Sequence, residues 1–173
     1  DNGNVVGQKE PDDLGNGWFI NKGIDEAWDL RILGVWQTDE AEEAKKYGLR
    51  PGDFKLEDVD GDYKFDDKDK SFQGSQVPKF TWSLRNDFEI CRNLNVSFLI
   101  YSHWGHIGTY NIAKHNTTYQ DRYNDFVFPY WTEDNPSNEW ARLNSSNGSA
   151  KFNVWRKRSF IRLDNISVGY TFP

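Results

Sequence analysis

The stretch KFTWSLRNDFEICRNLNVSFLIYSHW, residues 79 to 104, decides the fold. In its first half Phe80, Trp82, Leu84, Phe88 and Ile90 share one parity, broken only by Asn86. Lys79, Thr81, Ser83, Arg85, Asp87 and Glu89 share the other. Strict alternation is the signature of a strand, whose side chains point to opposite faces in turn. After a short break at 91 to 93, Leu94, Val96, Phe98, Ile100 and Trp104 resume one face, and Asn95, Ser97, Leu99, Tyr101 and His103 the other. The pattern predicts a hairpin of two long strands. Soluble sandwiches use strands of about 5–6 residues. These are about twice that, the length of a tilted membrane strand. Either a sandwich or the wall of a wide barrel explains a face as polar as Arg85, Asp87 and Glu89.

Composition points the same way. The chain of 173 residues is 36% hydrophobic but 16% aromatic, with 8 Trp, 8 Tyr and 12 Phe. Little aliphatic and much aromatic mass suits pleated sheets, membrane-interface belts and ligand-stacking surfaces. A net charge of -6 argues against nucleic acid, which requires a basic face. The single cysteine, Cys91, rules out an internal disulfide and a cysteine zinc site. There is no methionine and no signal peptide, as expected of a piece of a longer precursor. No apolar run reaches 18 residues, so no transmembrane helix is predicted; barrel strands are a separate question.

Working outward, residues 1 to 17 read as a polar, glycine-rich tail. Residues 28 to 37 read as a strand with Leu30, Ile32 and Trp36 on one side. Residues 38 to 48 form the one clear helix, capped by Thr38 or Asp39 and stopped at Gly48, with a Glu42–Lys46 pair at i,i+4. After Trp104 the pattern fails for roughly fifty residues, and loops that long are usually functional. A last strand is predicted over 159 to 172, with Phe160, Ile166, Val168, Tyr170 and Phe172 on one parity.

Taken in order, LGVWQTDEAEEAKKYGLRPGDFKLEDVDGD (33 to 62), GSQVPKFTWSLRNDF (74 to 88), IYSHWGHIGTYN (100 to 111) and RSFIRLDNISVGYTFP (158 to 173) resemble the C-terminal part of the barrel of SusC/RagA-type TonB-dependent transporters. The resemblance covers most of the chain from about residue 28. It implies an all-β fold: antiparallel strands of a large transmembrane β-barrel, with long extracellular loops and one short surface helix. It further implies the bacterial outer membrane, a SusD-like surface lipoprotein as lid, energy from the TonB complex through a plug, and import of glycans or peptides. The plug is not in this sequence, and too few strands are present to close a barrel of about 22. An open sheet edge cannot face lipid. The 173 residues are therefore expected to be one part of a barrel domain, paired with its remaining strands and in contact with lipid.

Residues 58 to 69, DVDGDYKFDDKD, crowd carboxylates. Counted from Asp58, the positions Asp60, Asp62, Lys64 (by its carbonyl), Asp66 and Asp69 follow the 1-3-5-7-9-12 ligand schedule of a calcium loop. Two features depart from it: Tyr63 holds the position usual for glycine, and position 12 is the short Asp69. The alternative is a solvated acidic loop with no metal; in the calcium reading the ion's expected role is structural, with weak affinity on the order of 10⁻⁴–10⁻³ M.

Tyr123, Phe126, Tyr130, Trp131 and Trp140 of the long loop are candidates for stacking on a sugar or packing on a lid partner; the alternative is that they pack the loop on itself. His103, His106 and His115 lack a metal-ligand spacing, and Arg156, Lys157 and Arg158 form a basic cluster facing head-groups or water. No carboxylate pair stands out as catalytic, so no enzyme activity is expected. The competing functional reading is a secreted, calcium-stabilised, β-rich glycan-binding module.

Overall fold

The computed structural model describes residues 12–14, 16–114, 127–146 and 150–173. Within them the chain is mostly strand with little helix. The strands are β1 (Glu26–Leu30), β2 (Ile32–Val35), β3 (Phe54–Leu56), β4 (Lys70–Ser75), β5 (Phe80–Ile90), β6 (Leu94–Trp104), β7 (Ile107–Thr109), β8 (Trp155–Lys157) and β9 (Phe160–Tyr170). One helix, α1 (Ala41–Lys46), follows a 3₁₀ turn at Thr38–Glu40. The sheets are β1-β4, β2-β3, β5-β6-β9 and β7-β8. The chain divides into two compact units, one within Asp1–Gln73 and Thr109–Trp155, the other Gly74–Gly108 with Arg156–Pro173.

The first unit owns the buried core. Leu30, Val35, Phe54 and Leu56 from β1–β3 pack with Ala113, Trp131, Trp140, Ala141, Ala150, Phe152 and Val154. Seven of these eleven residues come from the stretch without periodicity. Irregular chain can be buried here because its backbone groups find partners. Arg142 N–H donates to the Gly52 carbonyl at 2.7 Å and Ala141 N–H to the Ala113 carbonyl at 3.0 Å. Gly52 must be glycine: its φ is +87°, and a Cβ would meet Trp131 and Arg142 at 2.6–2.7 Å.

The helix is shorter than the sequence predicts, because its first turn is 3₁₀ and its cap lies one residue earlier. The Glu40 carboxylate accepts the Gln37 N–H at 3.1 Å, the reach-back half of a capping box. Lys46 pairs with Glu43 at i,i+3, 2.6 Å apart, in place of the expected Glu42.

The second unit is the predicted hairpin joined by β9. All three strands have 11 residues. β5 and β6 pair antiparallel without a slip from Phe80↔Trp104 to Ile90↔Leu94. Cys91 and Arg92 make the turn, both at positive φ (53° and 64°). β9 runs antiparallel along the far side of β6, from Leu94↔Tyr170 to His103↔Phe160. The register shifts where Leu99 faces Asn165 and Ile100 faces Leu163, leaving Asp164 as an extra residue. This bulge corrects the single parity expected for the last strand. Ile161 and Leu163 join Ile166, Val168 and Tyr170 on the apolar face, while Phe160 stands opposite His103 on the other.

Candidate metal centre and exposed apolar face

The acidic stretch forms the connection between β3 and β4 in the first unit. Its turns are made by backbone caps. Asp58 accepts the N–H groups of Gly61 (2.7 Å) and Tyr63 (3.0 Å), and Asp69 those of Val59 (2.8 Å) and Asp66 (3.0 Å). Gly61 and Tyr63 both take positive φ, 73° and 62°. Tyr63 therefore adopts the left-handed turn that glycine would take more cheaply. Its ring packs edge-on against Tyr47, 5.4 Å away, which helps hold it there.

These caps gather Asp58, Asp60 and Asp69: one carboxylate oxygen from each lies within 4.8 Å of the others. Asp69 is 1% exposed, yet among the described residues no lysine or arginine pairs with it or with Asp58. Burying a carboxylate among carboxylates is costly unless a cation or hydrogen bonds compensate. The trio could hold a metal ion. Among the described residues Lys68 is the one cation within ion-pair distance of the trio, 3.6 Å from Asp60 and also 4.0 Å from Asp66, on a side chain 71% exposed.

The other members of the predicted ligand set lie outside the trio. Asp62 accepts the Lys64 N–H at 2.8 Å, and Asp66 the Lys68 N–H at 2.7 Å, so both act as turn caps. Tyr47, which no sequence spacing reveals, adds its hydroxyl to Asp58 at 3.2 Å. Burial first, then the Asp58 charge, pushes its phenol up to about 12. Its ring stacks on Phe65 at 5.2 Å, so the helix end and the acidic loop share one aromatic base.

The aromatic candidates of the long loop separate. Trp131 and Trp140 are buried core residues, and Trp131 donates its indole N–H to the Gln37 side chain at 2.9 Å. They pack the loop on itself and present no ring to a ligand. Tyr130 is half-buried. Tyr123, Phe126 and His115 lie outside the described residues. His103 and His106 stand with ring centres 6.4 Å apart beside Phe160.

In the second unit, register pairs Phe80 with Trp104, Leu84 with Ile100, Phe88 with Val96 and Ile90 with Leu94 on one face, where Trp82 meets Ser102 and Phe98 meets Asn86, and β9 adds Ile161, Leu163, Ile166, Val168 and Tyr170. The outer strands leave this face open: Leu84, Phe88, Ile166 and Val168 are 49–66% exposed. Phe80 and Trp104 stack, 6.4 Å apart. The reverse face is polar, with Arg85 and Asp87 in an exposed pair at 3.0 Å. No helix among the described residues is long and apolar enough to cross a membrane, which leaves strand crossings unaddressed.

No protein-family model matches the chain, and no curated protein matches it.

Proposed function

We propose that the chain is part of an outer-membrane TonB-dependent importer of oligosaccharides or peptides, working with a SusD-like lipoprotein. One observation carries this reading: an apolar face spans three strands in register, and it is open. Contiguous exposed apolar surface on that scale marks an interface with protein or membrane. Eleven residues at ~3.3 Å each, tilted by about 45°, cover roughly 25 Å, the height of the apolar band of an outer-membrane barrel. A polar reverse face suits an aqueous lumen. The outer edges of β5 and β9, which pair with no strand among the described residues, would continue into the remaining barrel strands. Nitroxide labels in the complete protein test this. Labels at Leu84 and Ile166 should be relaxed by oxygen dissolved in the lipid, and labels at Arg85 and Asn165 by a water-soluble nickel chelate. Burial of Leu84 and Ile166 against a second sheet in a detergent-free monomer would overturn the reading and favour the secreted glycan-binding module.

The ion for the acidic trio is calcium in this reading. The donors are three carboxylates, the hard oxygen ligands that calcium takes. Calcium would fix the β3–β4 connection and carry no step of transport.

A further inference from the structure

We propose that a depression in the first unit, walled by Trp28, Asp29, Lys70, Lys114, Lys151 and Phe152, binds a small oxyanion: a sulfate or carboxylate group of an external ligand. Three ammonium groups border one concavity in a chain whose net charge is -6. The one carboxylate on the wall has its oxygens occupied. Asp29 Oδ1 accepts the Leu30 N–H at 2.8 Å, and Oδ2 accepts Asn153 N–H, Asn153 Nδ2 and Trp155 Nε1 at 2.9–3.0 Å. Asp29 thereby anchors the 153–155 segment and offsets only part of the positive charge.

Lys114 is the centre of the site. Its ammonium lies 4.2 Å from the Phe152 ring centre and donates to the Phe152 carbonyl. Among the described residues it has no carboxylate within ion-pair distance, and burial lowers its pKa despite the opposing pull of Asp29. A partly desolvated cation with only neutral acceptors gains from an incoming anion. Lys70 lies over the Trp28 ring at 4.8 Å. Its partner Asp67, 2.8 Å away, is on a 60% exposed side chain and holds it only weakly. Lys151 is exposed and pairs with no described acid. Two of the three lysines are thus held against aromatic rings, which limits the ordering needed on binding.

Equilibrium dialysis of the intact protein against radiolabelled sulfate at low ionic strength tests the site. Saturable binding of one sulfate per chain is expected in the millimolar range, about 1–10 mM, for a few surface-accessible charges. Glucuronate should compete and neutral glucose should not, which separates oxyanion recognition from sugar recognition. Lys114→Gln and Lys151→Gln should each weaken binding roughly fivefold, Lys114→Arg should largely restore it, and Lys22→Gln should change nothing. Unchanged binding in both Gln variants, competition by glucose, or no saturation by ~50 mM overturns the proposal. The site depends on the first unit alone, so its failure leaves the membrane reading of β5, β6 and β9 untouched.

Discussion

The Arg142 guanidinium lies 2.9 Å from the carboxylate of Asp53, which is fully buried. The angle falls short of a hydrogen bond, so the contact is an ionic one. Asp53 also accepts Arg50 N–H at 3.1 Å and Ser146 N–H at 2.8 Å. One carboxylate therefore ties the turn before β3 to the irregular segment that supplies Trp131 and Trp140. Breaking a buried pair leaves an uncompensated charge, at a cost of about 3–5 kcal/mol. Asp53→Ala should reach that range, because it strands two N–H groups as well as the guanidinium. Arg142→Met should cost about 2 kcal/mol less, since the carboxylate keeps both N–H donors. Denaturant unfolding followed by tryptophan fluorescence measures both; equal costs would show that the N–H bonds contribute nothing.

Calcium at millimolar concentration should raise the thermal midpoint of the intact protein, and Asp60→Ala should abolish the rise. Asp62→Ala, outside the trio, should retain most of it. Calorimetry with calcium and with chelator decides between them. Identical midpoints in the wild type would remove calcium from this loop.

Glu40 titrates below its ordinary 4.5, because Lys55 hydrogen-bonds it at 2.5 Å and the Gln37 N–H adds a second bond. A depressed carboxyl contributes stability above the unfolded value, and loses it as pH falls through the folded value. Lys55→Met should move the Glu40 carboxyl resonance back toward 4.5 in an NMR titration and flatten the acid limb of stability below that pH. The pair is partly exposed, so the effect is small.

The β5–β6 turn places two non-glycine residues at positive φ. Arg92→Gly should therefore stabilise the hairpin by about 0.5 kcal/mol, after glycine's greater unfolded freedom is set against the relief. Slower amide exchange at Ile90 and Leu94 reports it. Faster exchange would mean that the Arg92 side chain, and not the backbone, holds the turn.

If the apolar face meets lipid, Leu84→Arg should impair membrane assembly by about 2–4 kcal/mol, while Ser83→Arg on the reverse face should be tolerated. Heat-modifiable migration of the assembled protein distinguishes the two. Equal tolerance would contradict a lipid-facing Leu84.

The hairpin was legible in the sequence because alternation is a local property: each of residues 79 to 104 declares its face by its own polarity. The core of the first unit was not. Trp131, Trp140, Phe152 and Val154 come from chain with no period, and they are held by long-range ties that spacing does not encode: those of Asp53 and Gln37, and Asn138, whose Oδ1 accepts the Val35 N–H at 2.9 Å. The acidic loop was half legible. Asp58, Asp60 and Asp69 converge as their positions suggest, but Asp62 and Asp66 serve backbone N–H groups. Their partners, Lys64 and Lys68, lie two residues on, and such local capping competes with ligation at short range.

The extra residue at Asp164 has a consequence for how this strand can vary. Ile161 and Leu163 are odd-numbered, whereas Ile166, Val168 and Tyr170 are even, and both sets share a face only because one position is absorbed between them. Losing Asp164 would leave a bulge-free strand that still alternates, with Ile161 and Leu163 on the apolar face and Arg162 and Asn165 on the other. A one-residue deletion in β9 should therefore be tolerated at the bulge and disruptive in the regularly paired run on either side of it.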